Sequence, residues 1–261
     1  MVGHELLVVI DIGNTNTVCG IFEGERLGHT RRFETKECST STACCELLQD
    51  FLSLTGHRPD DVHGVAITSV VPAVLAAFHD ACRQCIRKEP FVVSADIDCG
   101  IYISYMTPLT LGADRIVNAA AAFAKYHRAV LVVDAGTATT FDYVSAQGRY
   151  EGGAIAPGIA MMRDGLSQGT AQLPSVTLEW NGTVLGKNTV ESLQSGIVAG
   201  YICLVEGMIT MFKNHIAQPL YVIATGGRSV FVAQHSRMLD SLEPDLTLEG
   251  LKFLFERNKK H

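Results

Sequence analysis

The amino-acid sequence predicts a duplicated α/β architecture, in which two similar halves each combine a sheet with helices. The stretch VLVVDAGTATT, which ends at Thr140, repeats the pattern of LLVVIDIGNTNT, which ends at Thr17. Each is an apolar run followed by Asp, any residue, Gly and a polar run ending in Thr, and aligning Asp134 with Asp11 gives an offset of 134 − 11 = 123 residues. In both halves strand-like segments come first and alternating helices and strands follow, which is typical of an internal duplication.

Composition and charge favour a globular protein of the cytoplasm. The chain has 261 residues, of which 47% are hydrophobic and 18% charged, so it can build a sizeable core. A net charge of −6 gives no electrostatic reason to expect nucleic acid or an anionic membrane as a partner. By inspection we expect no apolar run long enough to span a bilayer, and the start MVGHELLVVIDIG lacks the basic residues and cleavage site of a signal peptide. We therefore predict a cytoplasmic protein with no membrane partner.

Eight cysteines raise the question of a metal site or disulfides. In the cytoplasm reduced thiols are the expected state. The segment CRQC, from Cys82 to Cys85, has the spacing of half a zinc site but no second CxxC completes it. Because it lies in a segment with helical periodicity, the packing interpretation is favoured, as it is for the neighbouring pair Cys44 and Cys45.

The first half contains a strand, a hairpin, and then alternating helices and strands. LLVVIDIG is a strand, and Gly24 indicates a hairpin turn after VCGIF. The next segments are a helix in ACCELLQDFLSLTG, a strand in VHGVAITSVV, a helix in VPAVLAAF and a short strand in PFVVSA. The alanine-rich segment LTLGADRIVNAAAAFAKY, which follows Pro108, is a strong helix former.

The second half repeats this scheme. AVLVVDAG is a strand, and TTFDYVSAQGRYEGGAIAPG is hairpin-like. A long helix in VESLQSGIVAGYICLVEGMITMFKNHI, a strand in PLYVIATGG and a C-terminal helix in LEGLKFLFERNKK complete it. We predict an N-terminal domain over residues 1–118 and a C-terminal domain over residues 119–261, packed together with a cleft between them.

Each Asp-x-Gly turn has the chemistry of a phosphate site. Glycine lets the backbone approach an anion, and free N–H groups in the turn, with Asn and Thr side chains, can donate to phosphate oxygens. A neighbouring aspartate can hold a divalent cation directly or through water. One such turn by itself is more often an ordinary hairpin, but two at matching places in a repeat favour a site in which both grip one nucleotide. No GxxxxGK[ST] segment is present, so a Walker-type site is excluded.

Two further segments have weaker signals. ATGG, from Ala224 to Gly227, ends a strand, and its glycines would let an adenine lie against the backbone. GADR, from Gly112 to Arg115, begins the alanine-rich helix. There Asp114 is either a proton acceptor for a hydroxyl or a helix cap, and Arg115 either binds an anionic group or is solvated. Chemistry alone leaves these two interpretations open.

Five segments in order resemble the type III pantothenate kinase family: DIGNTNT, YMTPLTLGADRIVNAAAA, VVDAGTATTFD, GGAIAPGI and GKNTVESLQSG. The resemblance covers nearly the whole chain. Asp-x-Gly turns occur throughout the wider superfamily of actin-like proteins, sugar kinases and heat-shock chaperones, whereas YxxP followed by GADR is much more specific. The resemblance implies two ribonuclease-H-like domains and ATP-dependent phosphorylation of the primary hydroxyl of pantothenate, the first step towards coenzyme A.

The resemblance also implies a role for each motif residue. The phosphate-binding turn would comprise Asp11, Ile12, Gly13, Asn14, Thr15, Asn16, Thr17 and Val18, and Thr137 would also contact ATP. Pantothenate would be bound by Tyr105, Gly112, Ala113, Asp114, Arg115 and Thr189, with Asp114 as the catalytic proton acceptor. Tyr105 otherwise has the character of a half-buried aromatic residue at a sheet edge, and Thr189 that of a helix N-cap. Family members are homodimers, so a homodimer is expected here.

Cations are expected at both aspartates. The resemblance implies that Asp11 holds Mg²⁺ or another divalent cation, directly or through water, and that Asp134 ligates K⁺, or NH₄⁺ in its place. If both carboxylates point into one small site, cations must neutralise their charge, which is a physical reason to expect a monovalent-ion requirement. Asp114, at a helix start, is expected to stay ionised because the helix dipole favours a carboxylate there.

Overall fold

The computed structural model describes residues 5–259 and divides into two compact units. The first unit comprises the chain up to Lys125 together with the segment from Leu246 onward, and the second comprises Tyr126–Asp245. The predicted division, 1–118 and 119–261, differs from this at both ends of the second unit. A boundary after residue 118 would cut a helix that runs from Ala113 to Tyr126, and the C-terminal helix packs with the first unit.

The first unit is built on a sheet in which three antiparallel strands are followed by two parallel ones. Its strands are β1 (Leu6–Ile12), β2 (Asn16–Glu23), β3 (Arg26–Glu34), β4 (Val62–Ser69) and β5 (Phe91–Val92), in the order β3-β2-β1-β4-β5. Strand β1 is antiparallel to β2 and parallel to β4. Gly24, with φ of 60°, makes the predicted hairpin turn between β2 and β3. The central position of β1 places the end of this strand, with Asp11, in the middle of the sheet.

Two helices cover one face of this sheet and form its core. They are α1 (Ser41–Leu54), which Thr40 caps by accepting a hydrogen bond from the N–H of Ala43, and α2 (Pro72–Ala81). Their apolar faces meet alternate residues of β1 and β4, and the buried cluster includes Val8, Ile10, Leu48, Phe51, Val65, Ile67 and Phe78. The CRQC segment forms a wide helical turn, Cys82–Ile86, directly after α2, and Cys82 belongs to this core. Packing is therefore what the structure shows for Cys82.

The last helix, α8 (Leu246–Arg257), lies against the opposite face of the first sheet, on β1 and β4. Gly64 in β4 makes room for it, because a Cβ there would lie 2.3 Å from the ring of Phe255. Leu251 and Leu254 are completely buried. This packing is the physical reason why the C-terminal helix belongs to the first unit and not to the second.

The second unit repeats the sheet of the first. In the chain, β6 (Tyr102–Ile103) and α3 (Ala113–Tyr126) precede the strands of this unit. Those strands are β7 (Val130–Ala135), β8 (Ala138–Val144), β9 (Arg149–Pro157), β10 (Tyr221–Thr225) and β11 (Ser241–Leu242). Within the unit these last five follow the order β9-β8-β7-β10-β11. Strand β7 is antiparallel to β8 and parallel to β10. The two orders are equivalent strand by strand, so the predicted duplication of a ribonuclease-H-like α/β unit is confirmed.

The helices of the second unit are α4 (Ile159–Gly169), α5 (Thr189–Gln194), α6 (Gly200–His215) and α7 (Ser229–His235). A wide turn, Ser195–Ala199, joins α5 to α6, so the predicted long helix is present with one distortion. The sequence patterns do not predict α4. The buried side of α5 and α6 packs on β7 in the core of the unit.

The stretch Thr189–His215 is also long and apolar enough to cross a membrane by length and composition, because an 18-residue window within it has a mean hydropathy of 1.6. The expectation that no such run exists is therefore wrong. A core helix meets the same criteria, and 39% of the apolar window is buried inside the protein.

Candidate functional site

The first Asp-x-Gly turn is held from behind by Thr35. The N–H of Gly13 donates to the carbonyl of Asn16 at 3.0 Å and closes the turn. Thr35, in a short helical turn after β3, donates its N–H to the carbonyl of Thr15 and its hydroxyl to that of Gly13, at 3.0 and 2.7 Å. Its hydroxyl also lies 3.1 Å from that of buried Thr17. These contacts fix the backbone of the turn, whose outer residues Asn14 and Thr15 are exposed.

The second turn is held by a glycine and a tyrosine. The N–H of Gly136 donates to the carbonyl of Ala138 at 3.0 Å, and the N–H of Gly158 donates to that of Thr137 at 3.1 Å. A Cβ at Gly158 would lie 2.3 Å from the carbonyl oxygen of Thr137, so only glycine fits there. This close approach explains why the GGAIAPG segment ends in glycine. Thr137, at the turn itself, is exposed.

Tyr201 of α6 supports the second turn from the core. Its hydroxyl lies 2.8 Å from that of Thr139, and both residues are completely buried. Burial raises the pKa of Tyr201, and the nearby charge of Asp134 raises it further, so the phenol keeps its proton. The pair therefore serves the second turn as Thr17 and Thr35 serve the first.

The two turns differ in length by one residue. In the first, Ile12 pairs with Thr17 and four residues, 13–16, lie between them. In the second, Ala135 pairs with Thr139 and three residues, 136–138, lie between them. The constant offset of 123 residues aligns Thr17 with Thr140, but the strand register makes Thr17 equivalent to Thr139. That part of the sequence alignment is wrong, because the first turn contains one extra residue.

A threonine lies beside each aspartate on the neighbouring parallel strand. Asp11 pairs in register with Thr68 of β4, and Asp134 pairs with Thr225 of β10. Residues paired in this way point to the same face of a sheet and lie about 5 Å apart. Both aspartates are half-buried, whereas both threonines are completely buried.

Gly226 makes room for the carboxylate of Asp134. A Cβ at Gly226 would lie 2.2 Å from Asp134 Oδ1, and the residue has φ of +89°, which favours glycine. Gly136 approaches the same oxygen from the turn, where a Cβ would lie 3.4 Å away. The carboxylate thus lies in a cradle formed by two glycine backbones, beside Thr225 at the end of β10.

The chemistry of both aspartates suits hard cations. Among residues 5–259, no three side chains of the His, Cys, Asp and Glu types gather as a ready-made metal site. A cation at either position would therefore take one carboxylate oxygen together with hydroxyl, backbone, water or phosphate oxygens. Mg²⁺ prefers such oxygen ligands and keeps part of its water, and an all-oxygen donor set also suits K⁺. The residues present fit both ions.

The GADR segment positions its aspartate at the start of α3. Asp114 lies in the first turn of the helix, and its Oδ1 accepts a hydrogen bond from the backbone N–H of Arg115 at 2.8 Å. A Cβ at Gly112 would lie 2.5 Å from that oxygen, so a larger residue there would displace the Asp114 carboxylate. Asp114 thus binds the helix N-terminus, as a cap would, and is only half-buried. Arg115 is 8% exposed, so the alternative that it is solvated is wrong.

Tyr105 and Thr189 lie in less regular surroundings. Tyr105 is half-buried in the loop between β6 and α3, outside any strand. Thr189 is the exposed first residue of α5. The N-cap of α5 is Asn188, whose side-chain oxygen accepts the N–H of Glu191 at 2.9 Å, so the interpretation of Thr189 as the cap is wrong. Tyr105 belongs to the first unit with Asp11 and GADR, and Thr189 to the second with Asp134 and Thr137.

Four supporting residues are not among the predicted ones: Thr35, Thr68, Tyr201 and Thr225. Thr68 and Thr225 carry a sequence signal, because each is a polar residue at the carboxyl end of an apolar strand, VAIT and VIAT. Thr35 and Tyr201 have no comparable signal, since their contacts join segments that are distant in the chain.

Solved structures share this fold at low sequence identity. A candidate Baf family transcriptional activator from Campylobacter jejuni matches with a TM-score of 0.62 at 18% identity, over 96% of this chain and 98% of that one. A candidate 2-dehydro-3-deoxygalactonokinase from Sinorhizobium meliloti matches with a TM-score of 0.57 at 12% identity, over 98% of this chain and 97% of that one. At such identities the similarity shows the fold alone.

Sequence relatives are much more similar. The type III pantothenate kinase of Syntrophotalea carbinolica is 44% identical over 97% of this chain and 100% of its own length. That of Geotalea uraniireducens is 42% identical over 98% of this chain and 100% of its own length. The sequence model of the same family matches residues 7–211, which include both Asp-x-Gly turns, GADR and Thr189. The chain belongs to the type III pantothenate kinase family.

Proposed function

We propose that this protein transfers the γ-phosphoryl group of ATP to the primary hydroxyl of pantothenate, the first step of coenzyme A biosynthesis. The observation that carries the proposal is the GADR geometry in a chain that matches this kinase family over nearly its full length. There a half-buried carboxylate is fixed at a helix N-terminus beside a buried arginine. This pairs a proton acceptor with a group that can bind an anion.

In this proposal the first turn, Asp11 to Val18, binds the phosphates through its N–H groups and its Asn and Thr side chains. Thr137 of the second turn also contacts ATP. Pantothenate is held by Tyr105, by Gly112 to Arg115 and by Thr189. The rigid support of each turn, by Thr35 and by Gly158 and Tyr201, favours this assignment because preorganised donors stabilise a transferring phosphoryl group without reorganising.

The chemical step is one displacement. The hydroxyl oxygen of pantothenate forms a bond to the γ-phosphorus, and the bond from that phosphorus to the β–γ bridging oxygen breaks. ADP leaves with the bond electrons, and the hydroxyl proton passes to Asp114 and then to solvent. Because such transition states are loose, Asp114 acts mainly by orienting the hydroxyl and accepts the proton late. Arg115 pairs with the pantothenate carboxylate or neutralises phosphoryl charge.

Cations, oligomeric state and location are also part of the proposal. A divalent cation at Asp11 and K⁺ or NH₄⁺ at Asp134 would neutralise phosphate and carboxylate charge when bound. The cradle of glycine backbones at Asp134 and the threonine in register with each aspartate support this. We further propose a cytoplasmic homodimer. We propose no nucleic-acid or membrane partner, because the net charge of −6 gives no attraction to a polyanion or an anionic membrane.

A coupled ADP-release assay tests the proposal. The protein is incubated with ATP, Mg²⁺ and a panel of acceptors that includes pantothenate, sugars and acetate, once with KCl and once with NaCl. We expect ADP release above background with pantothenate, and faster release with K⁺ than with Na⁺. Release with a sugar or acetate only would identify another kinase of the superfamily. No release with any acceptor would favour a non-catalytic ATP-binding or regulatory role.

A further inference from the structure

Two threonine hydroxyls in this protein are completely buried and lack a hydrogen-bond partner within residues 5–259. They are Oγ1 of Thr68 and Oγ1 of Thr225, and both residues have no exposed surface. Leaving a buried hydroxyl unpaired is unfavourable, and valine would fill the same space without that penalty. Threonine at these two positions therefore calls for a physical explanation.

Other buried threonine hydroxyls near these strand ends do have hydrogen-bond partners. Thr17 and Thr139 are equally buried, yet their hydroxyls lie 3.1 Å from that of Thr35 and 2.8 Å from that of Tyr201. Unpaired hydroxyls are thus not a general property of these strand ends. They occur at one equivalent position in each unit, on the strand parallel to the one that ends in the Asp-x-Gly turn.

That position places each hydroxyl next to a carboxylate that suits a cation. Thr68 is in register with Asp11, and Thr225 is in register with Asp134. In-register neighbours of parallel strands point to the same face. A hydroxyl has two lone pairs and one proton. Its oxygen can therefore ligate a cation, or accept a hydrogen bond from a water bound to that cation, while its proton is donated to the carboxylate.

We propose that Thr68 and Thr225 are positioning residues, each of which contributes its hydroxyl oxygen to the cation or cation-bound water held by the neighbouring aspartate. The identities of the ions, a divalent cation at Asp11 and a monovalent one at Asp134, rest on the proposed function. The pairing of each hydroxyl with its aspartate rests on the strand register alone. The duplicated fold has thus built the same two-residue unit twice.

Thermal unfolding with cation titrations tests this proposal, with each variant serving as the other's control. The full chain, Thr68→Val and Thr225→Val are each unfolded at a fixed concentration of ADP while MgCl₂ or KCl is raised, with choline chloride balancing the ionic strength. We expect Thr68→Val to raise the half-saturating Mg²⁺ concentration about tenfold and leave that of K⁺ unchanged. Thr225→Val should raise the half-saturating K⁺ concentration about tenfold and leave that of Mg²⁺ unchanged.

Serine variants at the same positions separate the hydroxyl from packing. Thr68→Ser and Thr225→Ser keep the oxygen and lose a methyl group, so we expect a lower Tm without cations but a wild-type response to both ions. The proposal is overturned if the wild type shows no cation-dependent rise in Tm, if the valine variants titrate like the wild type, or if each valine variant weakens both ions equally. A shift in one valine variant only overturns the role of the other threonine.

The two proposals can fail separately. If the crossed shifts appear but pantothenate stimulates no ADP release, the cation sites stand and the proposed substrate is wrong. If pantothenate is phosphorylated but the valine variants bind both ions normally, the kinase assignment stands and the role of the two threonines is wrong.

Discussion

The Asp114 side chain is positioned by two residues close to it in the chain, Gly112 and Arg115. Gly112 leaves room for its Oδ1, and the N–H of Arg115 donates to that oxygen at 2.8 Å. Asparagine can accept the same hydrogen bond from the backbone N–H of Arg115, but an amide orients the substrate hydroxyl less strongly than a carboxylate and cannot accept its proton. We expect Asp114→Asn to retain ATP binding and to lower the rate of ADP release by about 10²- to 10⁴-fold, the usual contribution of a general base.

The measurement pairs nucleotide titration with the ADP-release assay. Asp50→Asn is a suitable control, because Asp50 is exposed on α1 and should show wild-type turnover. Wild-type-like turnover in Asp114→Asn would refute the role assigned to this carboxylate.

Gly226 provides a second test at the scale of one residue. An alanine there would bring Cβ to 2.2 Å from Asp134 Oδ1 at φ of +89°. We expect Gly226→Ala to lower the free energy of unfolding by about 2 kcal/mol, since the left-handed conformation alone costs an L-residue roughly 1–2 kcal/mol. Turnover should fall as well, because the carboxylate must move.

Gly165→Ala is the matched control for this substitution. Gly165 lies inside α4, and a Cβ added there would meet no atom within 4 Å. Alanine at this position should stabilise the protein by about 0.5–1 kcal/mol, as expected in a helix interior. Urea denaturation measures both variants, and equal effects of the two would contradict the close approach at Gly226.

The sequence predicts the residues of both turns and GADR, but not what supports them. An Asp-x-Gly segment predicts a phosphate or cation site by itself, because its aspartate and glycine are only two positions apart in the chain. The sequence marks Thr68 and Thr225 as polar residues at strand ends, but only the strand register shows that they lie beside Asp11 and Asp134, since their strands follow long after the turns. The extra residue in the first turn escapes prediction for the same reason, because a constant offset assumes turns of equal length.

At the scale of elements, helix α8 shows where sequence patterns are insufficient. The sequence predicts a helix over residues 248–260, and the structure has it over Leu246–Arg257, so the helix is confirmed although it begins and ends earlier; residue 260 lies outside the described residues. The pattern does not say which sheet the apolar face will meet. Gly64 and Phe255 decide this, because the glycine leaves space for the ring on the face of β4 that α1 and α2 do not cover.

We expect Leu251→Ala to destabilise the first unit. Leu251 is completely buried in α8, and truncating such a leucine costs about 2–5 kcal/mol. Native-state hydrogen exchange should show faster exchange in β1 and β4, against which α8 packs, than in β7 and β10. Faster exchange in β7 and β10 instead would contradict the assignment of α8 to the first unit.

At the scale of the whole molecule, two sheets with equivalent strand orders explain why one motif occurs twice. Each unit also exposes large apolar side chains, Met106 and Leu109 in the first and Val184 and Leu185 in the second, with exposures of 101%, 80%, 76% and 69%. Val184 and Leu185 are consecutive in the chain and Met106 and Leu109 are close in it, and contiguous apolar surface marks interaction sites more often than a single exposed residue such as Leu54 does. This supports the proposed homodimer.

Sedimentation equilibrium tests the oligomeric state. We expect a mass of twice the 28.2 kDa of one chain at micromolar concentration. Leu185→Asp, which places a charge on this apolar surface, should shift the equilibrium towards the single chain, whereas Leu54→Asp, at an exposed residue of α1, should not. A mass of one chain for the wild type at all concentrations would contradict the homodimer.

The identity of the reaction product tests the central claim most directly. The protein is incubated with ATP, Mg²⁺, K⁺ and pantothenate, and the products are analysed by mass spectrometry and ³¹P NMR. We predict one phosphoryl group on the primary hydroxyl of pantothenate, formed in equal amount with ADP, and no product from an analogue that lacks this hydroxyl. ADP formed at the same rate with that analogue, with pantothenate left unmodified, would contradict the account.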